Sequence, residues 1–395
     1  MNDVLSDIRV LDFGRYVAGP YCATLLGYMG ADVIRVERLG GAEDRAIAPV
    51  TKDGEGAVFL QTACNKRSVC LDLRSGEGKD IARRLVRSAD VVVANFPAQT
   101  LKKLGLDLDS LQALKPDIIL ANVTAFGEEG PWVNRGGFDG VGQAMSGAMY
   151  ITGTPGGPAK AAAPYVDYCS AVLAALGVMA ALRERDQSGQ GQQVSGTLLG
   201  TALSVFNSHL VEQGVLGIDR VGTGNRVQTS APSDVFATGD GHVLVHCPGD
   251  AVFRRWARLL DLEEWIDDPR FATDQDRGDH RDEICAPMVD WCAGRSTEEA
   301  LETLAAAGIP AGPVLSPREA LDHPQVAALD LLRSVDYPGA PAPAPVAGLP
   351  FKRTLGGPDV RNRPPLVGEH TDEVMTELGF SQDQIAALRS AGAVG

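Results

Sequence analysis

Between residues 8 and 124 short β-branched runs alternate with helical stretches, and this alternation limits the possible folds more than any other feature of the chain. IRVLDF (8–13) is followed by a helical stretch from Tyr21 to Met29, closed by Gly30, and then by DVIRVE (32–37), a pattern that predicts a βαβ opening. SVCLDL (68–73), an amphipathic helix over 77–88, VVVAN (91–95), two short helices separated by Gly105, and DIILANVT (117–124) continue it. Strands that are apolar along their whole length belong to a parallel sheet covered by helices on both faces. The predicted class is therefore α/β, a Rossmann-like large domain with ligands beyond the carboxyl ends of its strands.

With 395 residues, 44% of them hydrophobic, the chain is too long for one ordinary compact domain, and two are expected. Residues 1–200 supply the N-terminal part of the large domain, including a long apolar helix from Tyr168 to Arg185. Residues 201–225 read as a linker helix, part of an apolar helical stretch over 198–213, and a Gly-rich loop. Residues 226–320 form a smaller α+β domain that opens with a hairpin turning at Gly239 to Gly241 and continues in charged amphipathic helices. Residues 321–395 return to complete the large domain. Within them YPGAPAPAPVAGLP (337–350) suits neither helix nor central strand, and a helix pair near 371–378 and 381–390 closes the chain.

The formal net charge is −15, which argues against nucleic-acid binding, since phosphate recognition needs a dominant basic face. The start lacks a basic segment followed by an apolar one, and no window reads as a membrane span, so a soluble cytoplasmic protein is expected. Seven cysteines without a CxxC pair predict reduced, mostly buried thiols, and six scattered histidines give no metal site. GVGQAMSG (140–147) misses the dinucleotide signature at Met145, SGEGKD around Lys79 misses the P-loop, and no G-x-S-x-G elbow occurs.

VLDFGRYVAGPYCATLLGYMGADVIRVER, NKRSVCLDL, the Asn95–Phe96 pair ahead of a Lys/Gly segment, and GFDGVGQAMSG follow one another at spacings that resemble the class III CoA-transferase family (CaiB/BaiF type). The resemblance spans nearly the whole chain and implies a coenzyme A transferase, with CoA bound as a substrate, no permanently bound cofactor, and an interlocked homodimer. It places the CoA contacts at Tyr16, Val17, Arg38, Leu71, Arg74 and Lys103. Three of these, Arg38, Arg74 and Lys103, lie at or soon after predicted strand ends, where an acidic protein must gather cations to hold a polyphosphate. Taken singly, an Arg or Lys reads first as a solvated surface residue, and Leu71 as core.

By the same resemblance Asp167 is the nucleophile, passing through a mixed anhydride and an aspartyl-CoA thioester to hand CoA from an acyl-CoA donor to a carboxylic acid. On the residues alone, Asp167 stands just before the apolar helix as a good N-cap, and a helix N-terminus would keep its carboxylate ionised at neutral pH. Gln143 is a candidate for positioning the acyl group or for helix packing. Gly222 and Gly224 are candidates for a mobile loop with oxyanion donors or for a plain linker, and Asp139 for a helix cap. Related racemases use a His in GHD; here the motif reads GFD, and Phe138 moves no proton, so transferase is preferred over α-methylacyl-CoA racemase or a non-catalytic CoA-binding protein. Arg15, Arg135 or Arg226 would suit the second carboxylate of a dicarboxylic acid, with succinyl-CoA as a possible donor.

Overall fold

The computed structural model describes residues 3–395. Six strands, β1 (Arg9–Asp12), β2 (Asp32–Glu37), β3 (Lys66–Cys70), β4 (Val91–Ala94), β5 (Ile119–Thr124) and β6 (Gln193–Thr197), form one parallel sheet in the order β3-β2-β1-β4-β5-β6. This is a doubly wound order that reverses direction between β1 and β4. The first five strands fall where the apolar runs predicted them. The sixth was not expected, because QVSGT carries a single apolar residue; pairing on one side with β5 is what makes it a strand.

Successive side chains leave opposite faces of each strand, so the sheet has two cores. Val10, Val33, Val91, Val93, Ile119 and Ala121 share one core with the helices Ala18–Tyr28 and Tyr165–Ser188. Leu11, Ile34, Val36, Val69, Val92 and Leu120 share the other with Gly76–Arg87 and with Val374, Met375 and Ile385 of the C-terminal helices Thr371–Glu377 and Gln382–Ser390. Each of the Val, Leu, Ile and Met side chains among these contributes about 1.5–3 kcal/mol on full burial.

By length and composition the Tyr165–Ser188 helix is apolar enough to cross a membrane, which corrects the expectation that no segment is. Its apolarity has a structural outlet within the chain: Val166, Ala171, Ala174, Ala175, Val178, Ala181 and Leu182 are buried in the first core. The helix also starts earlier than expected, with Pro164 at its N-cap, so Asp167 occupies the first turn and is not the cap.

The 198–213 stretch is two helices, Leu198–Val205 and Asn207–Leu216, separated at Phe206, whose ring stacks on His209 at 4.5 Å. The second buries no residue, and Val211, Val215 and Leu216 are exposed. In the proline-rich segment Ala344–Ala347 pairs antiparallel with Leu332–Val335, placing Pro345 opposite Ser334 in a two-stranded sheet that lacks the central position Pro cannot occupy.

The chain divides into two compact units. One comprises residues up to Gly147, Ala161–Val211 and Leu329–Gly395; the other comprises Ala148–Lys160 and Glu212–Ala328. The second unit holds an antiparallel sheet of β7 (Ser233–Ala237), β8 (His242–His246) and β9 (Ala311–Pro313), with the expected hairpin between the first two. Phe236, Val243, Val245, Phe253, Trp256, Phe271 and Met288 form its core. All seven cysteines are free and six are buried.

Candidate active site

At the carboxyl end of β1 the chain turns sharply through Gly14, Arg15, Tyr16 and Val17 before entering the Ala18–Tyr28 helix. The Gly14 N–H donates to Asp12 Oδ1 at 2.8 Å, and a Cβ on Gly14 would lie 2.7 Å from Pro20 Cδ, so only glycine fits. Tyr16 has φ +63°, a left-handed conformation unfavourable for a residue of its size, and its N–H donates to Asp44 Oδ2 at 3.0 Å.

Asp44 is held from below by Arg35, whose Nη2 reaches both of its oxygens at 2.8 Å. Lys66 Nζ pairs with Asp12 at 2.7 Å, and Arg45 Nη2 pairs with Glu37 at 2.6 Å. Asp12, Glu37 and Asp44 thus balance Arg35, Arg45 and Lys66, all buried. Burial raises the Glu37 carboxyl, but Arg45 and Arg35 outweigh it and hold the group at about 2. Buried charges persist only when paired in this way, and here the pairs anchor the turn.

Across the switch point, two side-chain amides clamp the opposing loops. Asn95, just after β4, accepts the Arg15 N–H at 2.8 Å and donates to the Arg15 carbonyl at 2.7 Å. Asn122 in β5 grips Phe96 likewise, at 3.2 and 3.1 Å. Between these loops lies a cavity of about 250 Å³ whose walls include Arg15, Tyr16, Val17, Phe96, Arg135, Phe138, Asp167 and Leu198.

Asp167 is 8% exposed, and its side chain accepts no hydrogen bond among the described residues. Burial, with the Asp139 charge adding to it, raises its carboxyl to about 7. The expected effect of the helix N-terminus is therefore corrected. Asp139 Oδ1 takes the backbone N–H groups of Val166 and Asp167, at 2.7 and 3.2 Å, so the donors that would steady an anion at Asp167 serve Asp139. An anionic Asp167 is left poorly solvated, which suits a nucleophile.

A second cavity of about 520 Å³ lies at the ends of β2 and β3, lined by Arg38, Leu71, Arg74, the Gly40–Gly41 turn and, again, Arg15. Arg38 Nε donates to the Gly41 carbonyl and Arg74 Nε pairs with Asp72 at 3.0 Å, while the buried Leu71 can offer a ligand only its backbone. Tyr16, Val17 and Asp167 thus share the first cavity, and Arg38, Leu71 and Arg74 the second, joined through Arg15. Lys103, exposed on the Ala98–Leu104 helix, lines neither; it borders a depression with Lys79, Arg83 and Lys102.

Gln143 is buried, donating to Asp139 Oδ2 and accepting the Ala161 N–H at 3.0 Å, so its amide supports Asp139. Gly222 and Gly224 belong to the second unit, where the Gly224 N–H donates to the Gly153 carbonyl at 2.8 Å and a Cβ on Gly222 would come within 2.5 Å of that same oxygen. Arg226 in the same unit pairs with Asp234 at 2.9 Å and with Asp282. No histidine lines either cavity, and no group of three or more potential metal ligands occurs among the described residues. Sequence reasoning undervalued Asp139 and Asn95; the signal available was their position, one opening the short helix Asp139–Met145 and the other immediately following β4.

Residues 5–371 match CoA-transferase family III, and the chain belongs to that family. It is accordingly a CoA-transferase, with relatives of that activity along its whole length. The succinyl-CoA–D-citramalate CoA-transferase of Chloroflexus aurantiacus is 34% identical over 391 residues, covering 98% of this chain and 97% of that protein. The succinyl-CoA:mesaconate CoA-transferase of Haloarcula hispanica is 35% identical, covering 95% of this chain and 96% of that one. A CAIB/BAIF family protein from Brucella suis superposes with a TM-score of 0.84 at 30% identity, covering 96% of this chain and all of that structure.

Proposed function

We propose that the protein moves CoA from succinyl-CoA to a second small carboxylic acid through covalent intermediates on Asp167. The observation that carries this reading is the placement of Asp167: a buried carboxylate without donors, on the wall of a crevice at the switch point of the sheet. Succinyl-CoA is the donor named for several relatives, and it enters here on that similarity.

The Asp167 carboxylate attacks the thioester carbonyl, the C–S bond breaks, and a mixed succinyl-aspartyl anhydride forms as CoA thiolate leaves. The thiolate attacks the aspartyl carbonyl and releases succinate, leaving an aspartyl-CoA thioester. The acceptor carboxylate attacks that thioester and expels thiolate to give a second anhydride. Attack of the thiolate on the acceptor's acyl carbon then frees Asp167 and the new acyl-CoA. The anhydrides lie above the thioesters on either side of them, but overall one thioester is exchanged for another, so the cycle consumes neither ATP nor a resident cofactor, and CoA remains a substrate throughout.

In this reading Arg38 and Arg74 face the phosphorylated end of CoA, Leu71 contacts it through the backbone, and Tyr16 and Val17 border the pantetheine arm beside Asp167. Lys103, with Lys79 and Lys102 around it, adds positive potential nearby. We place the enzyme in the cytoplasm as a homodimer. Val172, Leu173 and Leu176 on the Tyr165–Ser188 helix and Val205 and Val211 beyond it give it an exposed apolar surface to bury. A sedimenting species of 41.6 kDa at micromolar concentration would exclude the dimer.

The decisive experiment incubates the protein with succinyl-CoA and a panel of carboxylic acids, reads thioesters by mass spectrometry, and searches quenched enzyme for a CoA adduct on the peptide containing Asp167. New acyl-CoA from wild type but not from Asp167→Ala, together with the adduct, is expected. Transfer that persists in Asp167→Ala defeats the proposal.

A further inference from the structure

We propose that Arg15 is the residue that selects dicarboxylic acyl groups, by pairing with the carboxylate that does not react. This rests on the reading that Asp167 receives the acyl group, since Arg15 and Asp167 line the same cavity. A dicarboxylic acid brought to Asp167 carries a second negative charge that must be held inside a crevice of about 250 Å³. Two cations line that crevice, Arg15 and Arg135. Arg135 is exposed, with its guanidinium 4.1 Å from the Trp132 ring, and it is free to swing into water.

Arg15 is fixed. Its backbone is held on both sides by the Asn95 amide. Its Nη1 donates to the carbonyls of Phe13 and Gly14, at 3.0 and 2.9 Å, and its guanidinium carbon lies 5.9 Å from the centre of the Phe96 ring. Among the described residues Nε and Nη2 have no acceptor, and no carboxylate pairs with Arg15. Those two nitrogens form one edge of the guanidinium plane, the edge that receives a carboxylate through two parallel hydrogen bonds. Arg35 and Arg45, by contrast, are engaged by the buried Asp44 and Glu37 and line neither cavity, although Arg35 Nε and Nη1 make no hydrogen bond, and Arg38 and Arg74 lie exposed at the rim of the second cavity beside Glu43 and Asp72. Burial and the neighbouring Arg35 charge disfavour the Arg15 cation, an effect that Asp44, Asp12 and Glu43 offset only in part, so an incoming anion paired with it would relieve the remainder.

Because Arg15 also borders the second cavity, a CoA phosphate is the competing source of the anion, and the experiment separates the two. Wild type, Arg15→Gln and Arg15→Lys are compared for kcat/KM with succinyl-CoA and with butyryl-CoA, which keeps the chain length but lacks the charge, and for the Kd of free CoA by calorimetry. The expected result is a fall of about 10- to 100-fold in the succinyl-to-butyryl ratio for Arg15→Gln, a smaller fall for Arg15→Lys, and a Kd for CoA within about threefold of wild type. Parallel losses with both thioesters, or weakening of free CoA by the same factor, would overturn the assignment in favour of a phosphate contact. Should wild type use no butyryl-CoA, the CoA Kd set against the succinyl-CoA loss decides by itself. Failure of the Asp167 reading looks different, since wild type would then form no covalent CoA adduct; similar melting temperatures for the three proteins exclude misfolding as the cause of any loss.

Discussion

Asp139 and Asp167 sit at the same helix end, and it is Asp139, 28 residues upstream, that takes the helix's first backbone donors. The two carboxylates thereby have separate tasks, one as cap and one as unsolvated anion. With the Asp167 carboxyl near 7, the proposed attack by its ionised form means that kcat/KM should fall as pH drops through about 7. In Asp139→Asn the amide oxygen can still accept the two N–H groups, but the repulsive charge is gone. The acidic limb should move to lower pH, and a limb that stays in place would show that burial alone sets it.

A buried carboxylate held this way costs stability. Its folded value of about 7 exceeds the ordinary 3.8, so the folded state penalises the anion, least below pH 4 and fully above pH 7. Asp167→Asn should therefore melt higher than wild type at pH 8, with a gain on the order of 2–4 kcal/mol that shrinks as pH falls towards 4. Melting curves across pH test the sign; a variant less stable than wild type at pH 8 contradicts it.

Lys66→Met should destabilise the protein by about 3–5 kcal/mol, since it strips Asp12 of its 2.7 Å partner in a fully buried setting. Adding Asp12→Asn removes the stranded charge while keeping an acceptor for the Gly14 N–H. The double variant should therefore be less unstable than the two single losses summed, as read from denaturant titrations.

Asn95→Ala removes both side-chain bonds to the Arg15 backbone, at a cost of about 1–3 kcal/mol in stability. If Arg15 acts on dicarboxylates as proposed, the succinyl-to-butyryl preference should fall in the same direction as in Arg15→Gln, though Asn95 itself need touch no ligand. A preserved preference would mean that the turn keeps its shape without the clamp.

Much of this architecture could be read from the chain. β1 to β5 announced themselves through apolar runs because both faces of a parallel sheet are buried, whereas β6 owes its existence to backbone pairing with β5 and its side chains carry no such mark. Asp167 stood out by resemblance and by its place ahead of an apolar helix, but its ionisation was misjudged. The sequence places Asp139 in a different motif, and only folding brings its oxygen to the Val166 N–H. The burial of Gln143 beneath that carboxylate was hidden for the same reason. Arg15 was one of several arginines until the fold showed which edge of its guanidinium remains open.

The sheet-bearing unit is written in three separate stretches of chain, and residues 212–328 of the other unit are interposed before the last of them. Met375, Ile385 and Val394 finish the core beneath β2 and β3, and a bridge joins Val394 to Leu71 at the border of the second cavity. On the ribosome, those residues emerge after the second unit has been made. The nascent chain must therefore carry an unfinished apolar sheet face through most of its synthesis, and the Leu71 edge of the cavity acquires its backing among the last events of biogenesis.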